Sequence, residues 1–138
     1  MIEVYTDGSG TSRGSAGGWA YLLVRDGNLA GGWAGSEADA TNNTMELTAA
    51  ISGLYNAMTV MEPGEEVVLC SDSEYVLGLA AGKFEPSANV QLAHRVRRLA
   101  QATGSRFRHV DGHSGNEFNE MCDTWAGLRR KAARKLQQ

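Results

Sequence analysis

The chain has 138 residues, of which 42% are hydrophobic and 21% are charged, and its net charge is −3. This length suits one domain, and the apolar content suits one core and excludes a disordered chain. No apolar run is long enough to span a membrane, and the N-terminus has no signal-peptide pattern. We therefore expect a single domain over residues 1–138, which is cytoplasmic, monomeric and not associated with a membrane.

The charge is divided unevenly along the chain. Residues 1–70 hold 9 acidic and 2 basic residues, whereas residues 71–138 hold 7 acidic and 11 basic residues. The net charges of the two halves are therefore −7 and +4, which sum to −3. Such a division allows a fold to place a basic face, which attracts phosphates, beside an acidic pocket, which attracts cations.

Hydrophobic periodicity and turn residues predict nine elements in the order β-β-β-α-β-α-α-β-α. The first three strands are antiparallel, with a hairpin turn at Asp26-Gly27-Asn28, and the later β-α-β units require parallel pairing. The predicted fold is an α/β architecture, a mixed five-stranded sheet flanked by helices. The predicted strands are 2–6, 15–25, 29–35, 67–70 and 107–110, and the predicted helices are 42–61, 73–81, 89–102 and 117–136.

Several side chains receive ordinary structural interpretations. Cys70 and Cys122 are predicted to be reduced and buried, because a cytosolic chain of this size rarely forms a lone disulfide. His94 and His109 are predicted to lie on the surface. The three tryptophans are predicted to pack in the core; they are Trp19, Trp33 and Trp125.

Four carboxylates occupy positions that the predicted topology brings together. Asp7 ends the first strand and Asp72 follows the fourth, so parallel pairing of these strands would place both at one carboxyl edge of the sheet. Glu46 lies in the predicted first turn of the first helix, and Asp123 lies early in the last helix. Converging carboxylates repel unless cations hold them, and hard oxygen ligands suit Mg²⁺ or Mn²⁺. Taken singly, Asp72 is typical of a helix cap and Glu46 of a residue favoured by the helix dipole.

Five segments carry a more specific signal. They are Tyr5-Thr6-Asp7-Gly8-Ser9, Thr41-Asn42-Asn43-Thr44-Met45-Glu46-Leu47, Ser71-Asp72-Ser73-Glu74-Tyr75-Val76, Val110-Asp111-Gly112-His113-Ser114-Gly115 and Asn119-Glu120-Met121-Cys122-Asp123. In this order and spacing they resemble type 1 ribonuclease H over essentially the whole chain. The resemblance implies a ribonuclease H-like fold and endonucleolytic hydrolysis of the RNA strand of RNA–DNA hybrids, which leaves 5′-phosphate and 3′-hydroxyl ends.

The resemblance also implies a role for each matching residue. Asp7, Glu46, Asp72 and Asp123 would hold two Mg²⁺ ions, for which Mn²⁺ is a plausible substitute, in a two-metal-ion mechanism. His113 would be the catalytic histidine that assists proton transfer or product release. The residues expected to contact the hybrid are Gly8, Thr41, Asn42, Asn43 and Asn89.

One departure from the family concerns substrate affinity. Many bacterial members carry an extra basic helix and loop after the helix that follows Asp72, and here only residues 82–88 stand between that helix and the next. The chain thus resembles the short form, which lacks the basic protrusion. We hypothesise that other basic residues compensate, namely Arg95, Arg97, Arg98 and the tail cluster Arg129, Arg130, Lys131, Arg134 and Lys135.

Three alternatives remain open from the sequence. The same fold serves other phosphoryl-transfer tasks, such as resolvase-like or exonuclease activity, although such relatives seldom have the Thr41-Asn42-Asn43 stretch before the glutamate. A catalytically silent hybrid-binding module would require a broken carboxylate set, whereas all four are present. A fragment of a reverse transcriptase is the third alternative, and Met1 immediately before the first strand argues against it.

Overall fold

The computed structural model of the chain describes residues 1–11, 15–112 and 115–137. Its elements follow the predicted order. The strands are β1 (Ile2–Ser9), β2 (Ser15–Arg25), β3 (Asn28–Ala40), β4 (Val67–Ser71) and β5 (Arg106–His109), and the helices are α1 (Asn42–Val60), α2 (Glu74–Ala81), α3 (Val90–Thr103) and α4 (Glu117–Leu136). Within the described ranges, no helix is both long enough and apolar enough to cross a membrane.

The strands form one five-stranded sheet in the order β3-β2-β1-β4-β5. β1 pairs antiparallel with β2, and β2 pairs antiparallel with β3. On its other side β1 pairs in parallel with β4, which pairs in parallel with β5. The predicted mixed sheet is thus confirmed, and β1 is the strand at which antiparallel pairing changes to parallel pairing.

The hairpin between β2 and β3 has the predicted turn, but β3 is longer than predicted. Asp26 and Gly27 have φ values of 52° and 85°, as a two-residue hairpin turn requires at both of its central positions. β3 continues past the predicted end at Gly35 to Ala40, because the first residues of β2 pair with this stretch, including Ser15 with Ala40. Glycine and polar residues give this extension no alternating pattern, so the pairing partner decides its length.

Each face of the sheet is covered by helices, and alternate residues of β1 contribute to the two cores. Val4 packs with apolar residues of α1, α2 and α3, such as Leu54 of α1. Tyr5 packs on the opposite face with Cys122 and Ala126 of α4. The period of two residues along a strand therefore puts odd-numbered side chains of β1 on the α4 side.

The predicted burial is correct for the two cysteines but not for all three tryptophans. Cys70 and Cys122 are free and buried, as predicted. The prediction that all three tryptophans pack in the core is wrong, because Trp33 is 66% exposed and Trp125 is 49% exposed. Trp33 lies on the edge strand β3, and Trp125 lies at an exposed position of α4. The prediction failed because it used only the hydrophobicity of the side chain and not its place in the fold.

Candidate active site

Asp7 lies inside β1 and not at its end, which corrects the predicted boundary. β1 continues to Ser9 because Gly8 and Ser9 still pair with β2, whereas pairing with β4 ends at Tyr5. Asp7 is therefore inside the antiparallel ladder but two residues beyond the last parallel pair. It is only 5% exposed and lies, by strand periodicity, on the α4 side of the sheet.

Asp72 directly follows β4, as predicted, and the backbone around it is tightly organised. Ser73 is the N-cap of α2, and its hydroxyl accepts a hydrogen bond from the Val76 amide at 3.2 Å. The His109 Nε2 atom lies 3.2 Å from the Asp72 carbonyl oxygen. Gly112 is so close that a Cβ there would lie 3.2 Å from Asp72 Oδ2.

Glu46 is the fifth residue of α1, so the prediction that it lies in the first turn is wrong. Thr41 is the N-cap and forms a capping box with Thr44, so the first turn ends before Glu46. The Thr41 hydroxyl accepts from the Thr44 amide at 3.1 Å, and the Thr44 hydroxyl accepts from the Thr41 amide at 2.8 Å. The Asn42 side-chain amide donates to Glu46 Oε1 at 3.3 Å and so holds that carboxylate in place.

Gly8 allows α1 to approach β1 beside Asp7. A Cβ on Gly8 would lie 2.3 Å from the backbone nitrogen of Glu46 and 2.5 Å from the carbonyl carbon of Met45. Any larger residue would push the two backbones apart. The glycine that follows Asp7 therefore sets the distance between Asp7 and Glu46.

Three of the four predicted carboxylates come together. Asp7, Glu46 and Asp72 each offer a carboxylate oxygen, and these atoms all lie within 4.8 Å of one another. Burial raises the pKa of Asp7 to about 8, and the charges of Asp72 and Asp123 act in the same direction. Burial also raises the pKa of Glu46, against the hydrogen bonds from Ser73 and Asn42.

Asp123 and His113 stand apart from this group in different ways. Asp123 is exposed on α4 and is not one of the three residues whose oxygens converge, although its carboxylate is near enough to contribute to the raised pKa of Asp7. His113 lies outside the described residues. The structure therefore brings together Asp7, Glu46 and Asp72, with Asp123 at the border of the group.

The residues predicted to contact the hybrid surround the same end of the sheet. Asn43 is exposed beside Asn42 on the first turn of α1. Asn89 is the N-cap of α3 and has a left-handed backbone with φ 55°, and its side chain makes no capping hydrogen bond. Instead, the Asn89 amide donates to the Tyr75 hydroxyl on α2 at 3.3 Å. This bond ties the start of α3 to the start of α2, just after Asp72.

Sequence reasoning missed three residues that support the carboxylates. Ser73 was predicted only within a helix cap, yet it also bonds to Glu46. His109 is exposed, as predicted, but it also contacts the Asp72 backbone. Gly112 is part of a recognised segment, but its close approach to Asp72 depends on a pairing that the sequence does not reveal.

The donor set fits a hard divalent cation. All three converging groups are carboxylates, which are the ligands that Mg²⁺ and Mn²⁺ prefer. The pKa values of Asp7 and Glu46 are raised first by burial and also by the neighbouring charge of Asp72. A bound cation would supply positive charge and would favour the ionised carboxylates. This acidic group could therefore hold a metal ion.

Comparison with known proteins agrees with this geometry. A family model described as RNase H matches residues 1–131. The chain belongs to the RNase H family. A ribonuclease H of Acetivibrio thermocellus is 34% identical to it, with 91% of each chain covered.

Solved structures of RNase H proteins share the fold. The N-terminal RNase H domain of a Mycobacterium tuberculosis protein, solved as a fusion with maltose binding protein, has a TM-score of 0.86 at 19% identity and covers 99% of this chain and 98% of that chain. LC11-RNase H1 in complex with an RNA/DNA hybrid has a TM-score of 0.78 at 20% identity, covering 96% and 99%. The predicted family, fold and enzyme class, ribonuclease H, are confirmed.

Proposed function

We propose that this chain cleaves the RNA strand of RNA–DNA hybrids endonucleolytically and leaves 5′-phosphate and 3′-hydroxyl ends. The observation that carries the proposal is the convergence of Asp7, Glu46 and Asp72 at the edge where β1 and β4 stop pairing. Membership of the RNase H family supports it, as does the hybrid bound in the LC11-RNase H1 structure. We take residues 1–138 as one catalytic domain that acts as a monomer.

The carboxylates would hold Mg²⁺, with Mn²⁺ as a substitute. We assign Asp7, Glu46 and Asp72 as the inner ligands and Asp123 as a fourth ligand reached from α4. Two bound ions would supply positive charge at the attacking and the leaving oxygen of the scissile phosphate. The amide of Asn42 and the hydroxyl of Ser73 keep Glu46 oriented toward this site.

Other residues of the chain would handle the proton and the substrate. We assign His113 to proton transfer or product release, for which a side chain that titrates near neutral pH is suited. The backbone of Gly8 and the side chains of Thr41, Asn42, Asn43 and Asn89 would contact the hybrid. RNA would be distinguished from DNA by contacts to its 2′-hydroxyl groups, which only the RNA strand carries.

A cleavage assay tests the proposal. Labelled RNA–DNA hybrid, duplex DNA and duplex RNA are each incubated with the chain in Mg²⁺, in Mn²⁺ and in chelator. We expect cleavage only of the RNA strand of the hybrid and only with metal, at internal positions. End analysis should give 5′-phosphate and 3′-hydroxyl termini. Cleavage of duplex DNA, or trimming from chain ends alone, would instead indicate a resolvase-like or exonuclease activity.

Variants of one carboxylate locate the site. Asp72→Asn keeps the shape of the side chain and removes its charge, so we expect turnover to fall by about 100-fold or more while the protein stays folded. Asp26→Asn is the matched control, because Asp26 lies in the hairpin turn where its positive φ also suits asparagine. Near-native turnover of Asp72→Asn would contradict the assignment.

A further inference from the structure

A recess lies where the start of β2 faces the second half of α4. Its volume is about 340 Å³, and its polar lining residues are Thr11, Ser15, Arg130, Arg134 and Gln137. The Thr11 and Ser15 hydroxyl oxygens are 3.2 Å apart. The Gln137 side-chain amide is already engaged, because it donates to the Ala38 carbonyl at 2.7 Å. The hydroxyl groups of Thr11 and Ser15 and the guanidinium groups of the two arginines can donate hydrogen bonds to a ligand in the recess.

Two periodicities place this recess near the carboxylates. Ser9 and Asp7 are two residues apart on β1, so their side chains share a face about 7 Å apart. Arg130 and Asp123 are seven residues apart on α4, so they share a face about 10 Å apart. The Arg130 Nη1 atom donates to Ser9 Oγ at 3.5 Å, which places the guanidinium next to β1.

The charge of these two arginines is not neutralised within the described part of the chain. Arg130 and Arg134 form no ion pair there, and the acidic strand residues Glu37 and Asp39 are not within ion-pairing distance of either. Other arginines do have carboxylate partners; these are Arg25, Arg97, Arg106 and Arg108. Positive charge is thus available at the recess.

The other basic residues predicted to compensate for the missing protrusion have different surroundings. Arg97 bonds to Glu85 and to the carbonyl oxygens of Leu79 and Phe84, which fixes it against the protein. Arg95 and Arg98 line a wide groove on the α1 and α3 face, opposite α4. Within the predicted set, Arg130 is the residue that the structure links by a hydrogen bond to the strand of Asp7.

We propose that Thr11, Ser15, Arg130 and Arg134, here called the α4 phosphate site, bind a backbone phosphate of the nucleic-acid substrate. This inference rests on the proposed function, because it requires a substrate with a phosphodiester backbone. A phosphate held there would fix the register of the strand at the carboxylates, while the two arginines would offset the repulsion between those carboxylates and the phosphate backbone.

Salt-dependent binding tests the site. A fluorescent RNA–DNA hybrid is titrated with the full chain in chelator, which prevents cleavage, at several salt concentrations. Arg130→Gln and Arg134→Gln should each weaken binding by about three- to tenfold and reduce the slope of log affinity against log salt by about 0.9. Arg106→Gln is the matched control, because Arg106 is an exposed arginine outside the recess and outside the basic set predicted to bind the hybrid. It should leave the slope unchanged.

Neutral linkages identify the phosphate. A series of hybrids carries one methylphosphonate at successive positions of either strand, and binding is measured for the unmodified chain and for Arg130→Gln. At one position along the strand, the neutral linkage should weaken binding by the unmodified chain but not by the variant. Such non-additivity is expected only if Arg130 contacts that phosphate.

The outcomes separate this site from the proposed function. Salt slopes that are the same for Arg130→Gln, Arg134→Gln and Arg106→Gln would overturn the α4 phosphate site alone. So would a fall in kcat and thermal stability with unchanged hybrid affinity, because Arg130 would then only brace α4 against Ser9. An unmodified chain that binds no hybrid would overturn the proposed function, and this site with it.

Discussion

At the scale of single residues, Asp7 combines burial with like charges. Its carboxylate is buried on a central strand, next to Asp72 and Asp123, and its pKa is raised to about 8. A carboxyl group whose pKa is raised on folding binds its proton more tightly in the folded state. Stability of the metal-free protein therefore falls as the pH rises from about 4 to about 8.

The first prediction is that Asp7→Asn trades activity for stability. Without metal, we expect the variant to have a thermal midpoint several degrees higher than the unmodified chain above pH 8, because the like-charge repulsion is removed. The two midpoints should converge near pH 4, and hybrid cleavage should be lost. Thermal unfolding in chelator between pH 4 and 9 measures this. A midpoint difference that does not vary with pH would contradict the raised pKa.

The second prediction concerns the glycine after Asp7. Gly8→Ala would place a Cβ against the α1 backbone at Glu46, so we expect a loss of about 1–3 kcal/mol of stability and a lower kcat. Gly31→Ala is the matched control on β3, where nothing lies within 4 Å of the added Cβ. Chemical denaturation of both variants gives the comparison. Equal stabilities would show that α1 adjusts freely to the larger residue.

At the scale of elements, a bidentate ion pair joins β2 to the segment between α1 and β4. Arg25 Nε and Nη2 donate to the two Glu65 carboxylate oxygens at 2.9 and 2.8 Å, and Nη2 also donates to the Val60 carbonyl at 2.9 Å. The hydrogen bond from Arg25 lowers the pKa of Glu65 to about 2. This contact fixes the start of β4, and thus the strand that delivers Asp72.

The third prediction follows from the lowered pKa of Glu65. A lowered carboxyl pKa contributes stability that is present above the unfolded value of 4.5 and is lost as the pH falls toward 2. Glu65→Gln should therefore be less stable than the unmodified chain at pH 7 and equally stable near pH 2. Glu62→Gln, an exposed residue of the same segment, is the control and should show a much smaller difference at pH 7. Denaturation curves between pH 2 and 7 give the free energies of unfolding of both variants and of the unmodified chain, and a Glu65→Gln difference that does not vary with pH would contradict the lowered pKa.

At the scale of the whole molecule, the acidic and basic halves of the chain contribute different parts of the surface around the site. The acidic first half supplies Asp7 and Glu46, and the basic second half supplies α4, whose Arg130 donates a hydrogen bond to Ser9, two residues along β1 from Asp7. The carboxylates alone would repel a phosphate backbone. Cations in the acidic group and arginines at its border would together make the surface attractive to nucleic acid.

The fourth prediction links metal binding to global stability. Mg²⁺ or Mn²⁺ binds the folded carboxylates in their ionised form, so it should raise the thermal midpoint more at pH 8 than at pH 5.5. An ion at 100 times its dissociation constant would add about 2.7 kcal/mol. Differential scanning calorimetry with and without metal measures the shift. The shift should be retained in Asp26→Asn and reduced in Asp72→Asn, and equal shifts in the two variants would contradict the site.

Much of the fold and part of the site could be predicted because the signals are local. The hairpin at Asp26-Gly27 depends on the backbone freedom of two neighbouring residues. The end of α1 and the start of α2 follow from turn and cap residues near them, such as Ser73. The extension of β3 to Ala40 was missed, because it depends on pairing with β2 and not on the residues of β3.

The sequence by itself determined the order of the elements, the hairpin turn at Asp26-Gly27 and the position of Asp72 directly after β4, since these depend on neighbouring residues. Only the tertiary structure decided that Asp7, Glu46 and Asp72 converge, while Asp123 stays exposed at their border. It also decided which arginine of α4 bonds to the strand that carries Asp7. The physical reason is that pairing of β1 with β4 and packing of α4 join residues far apart in the chain, and no local pattern records those distances.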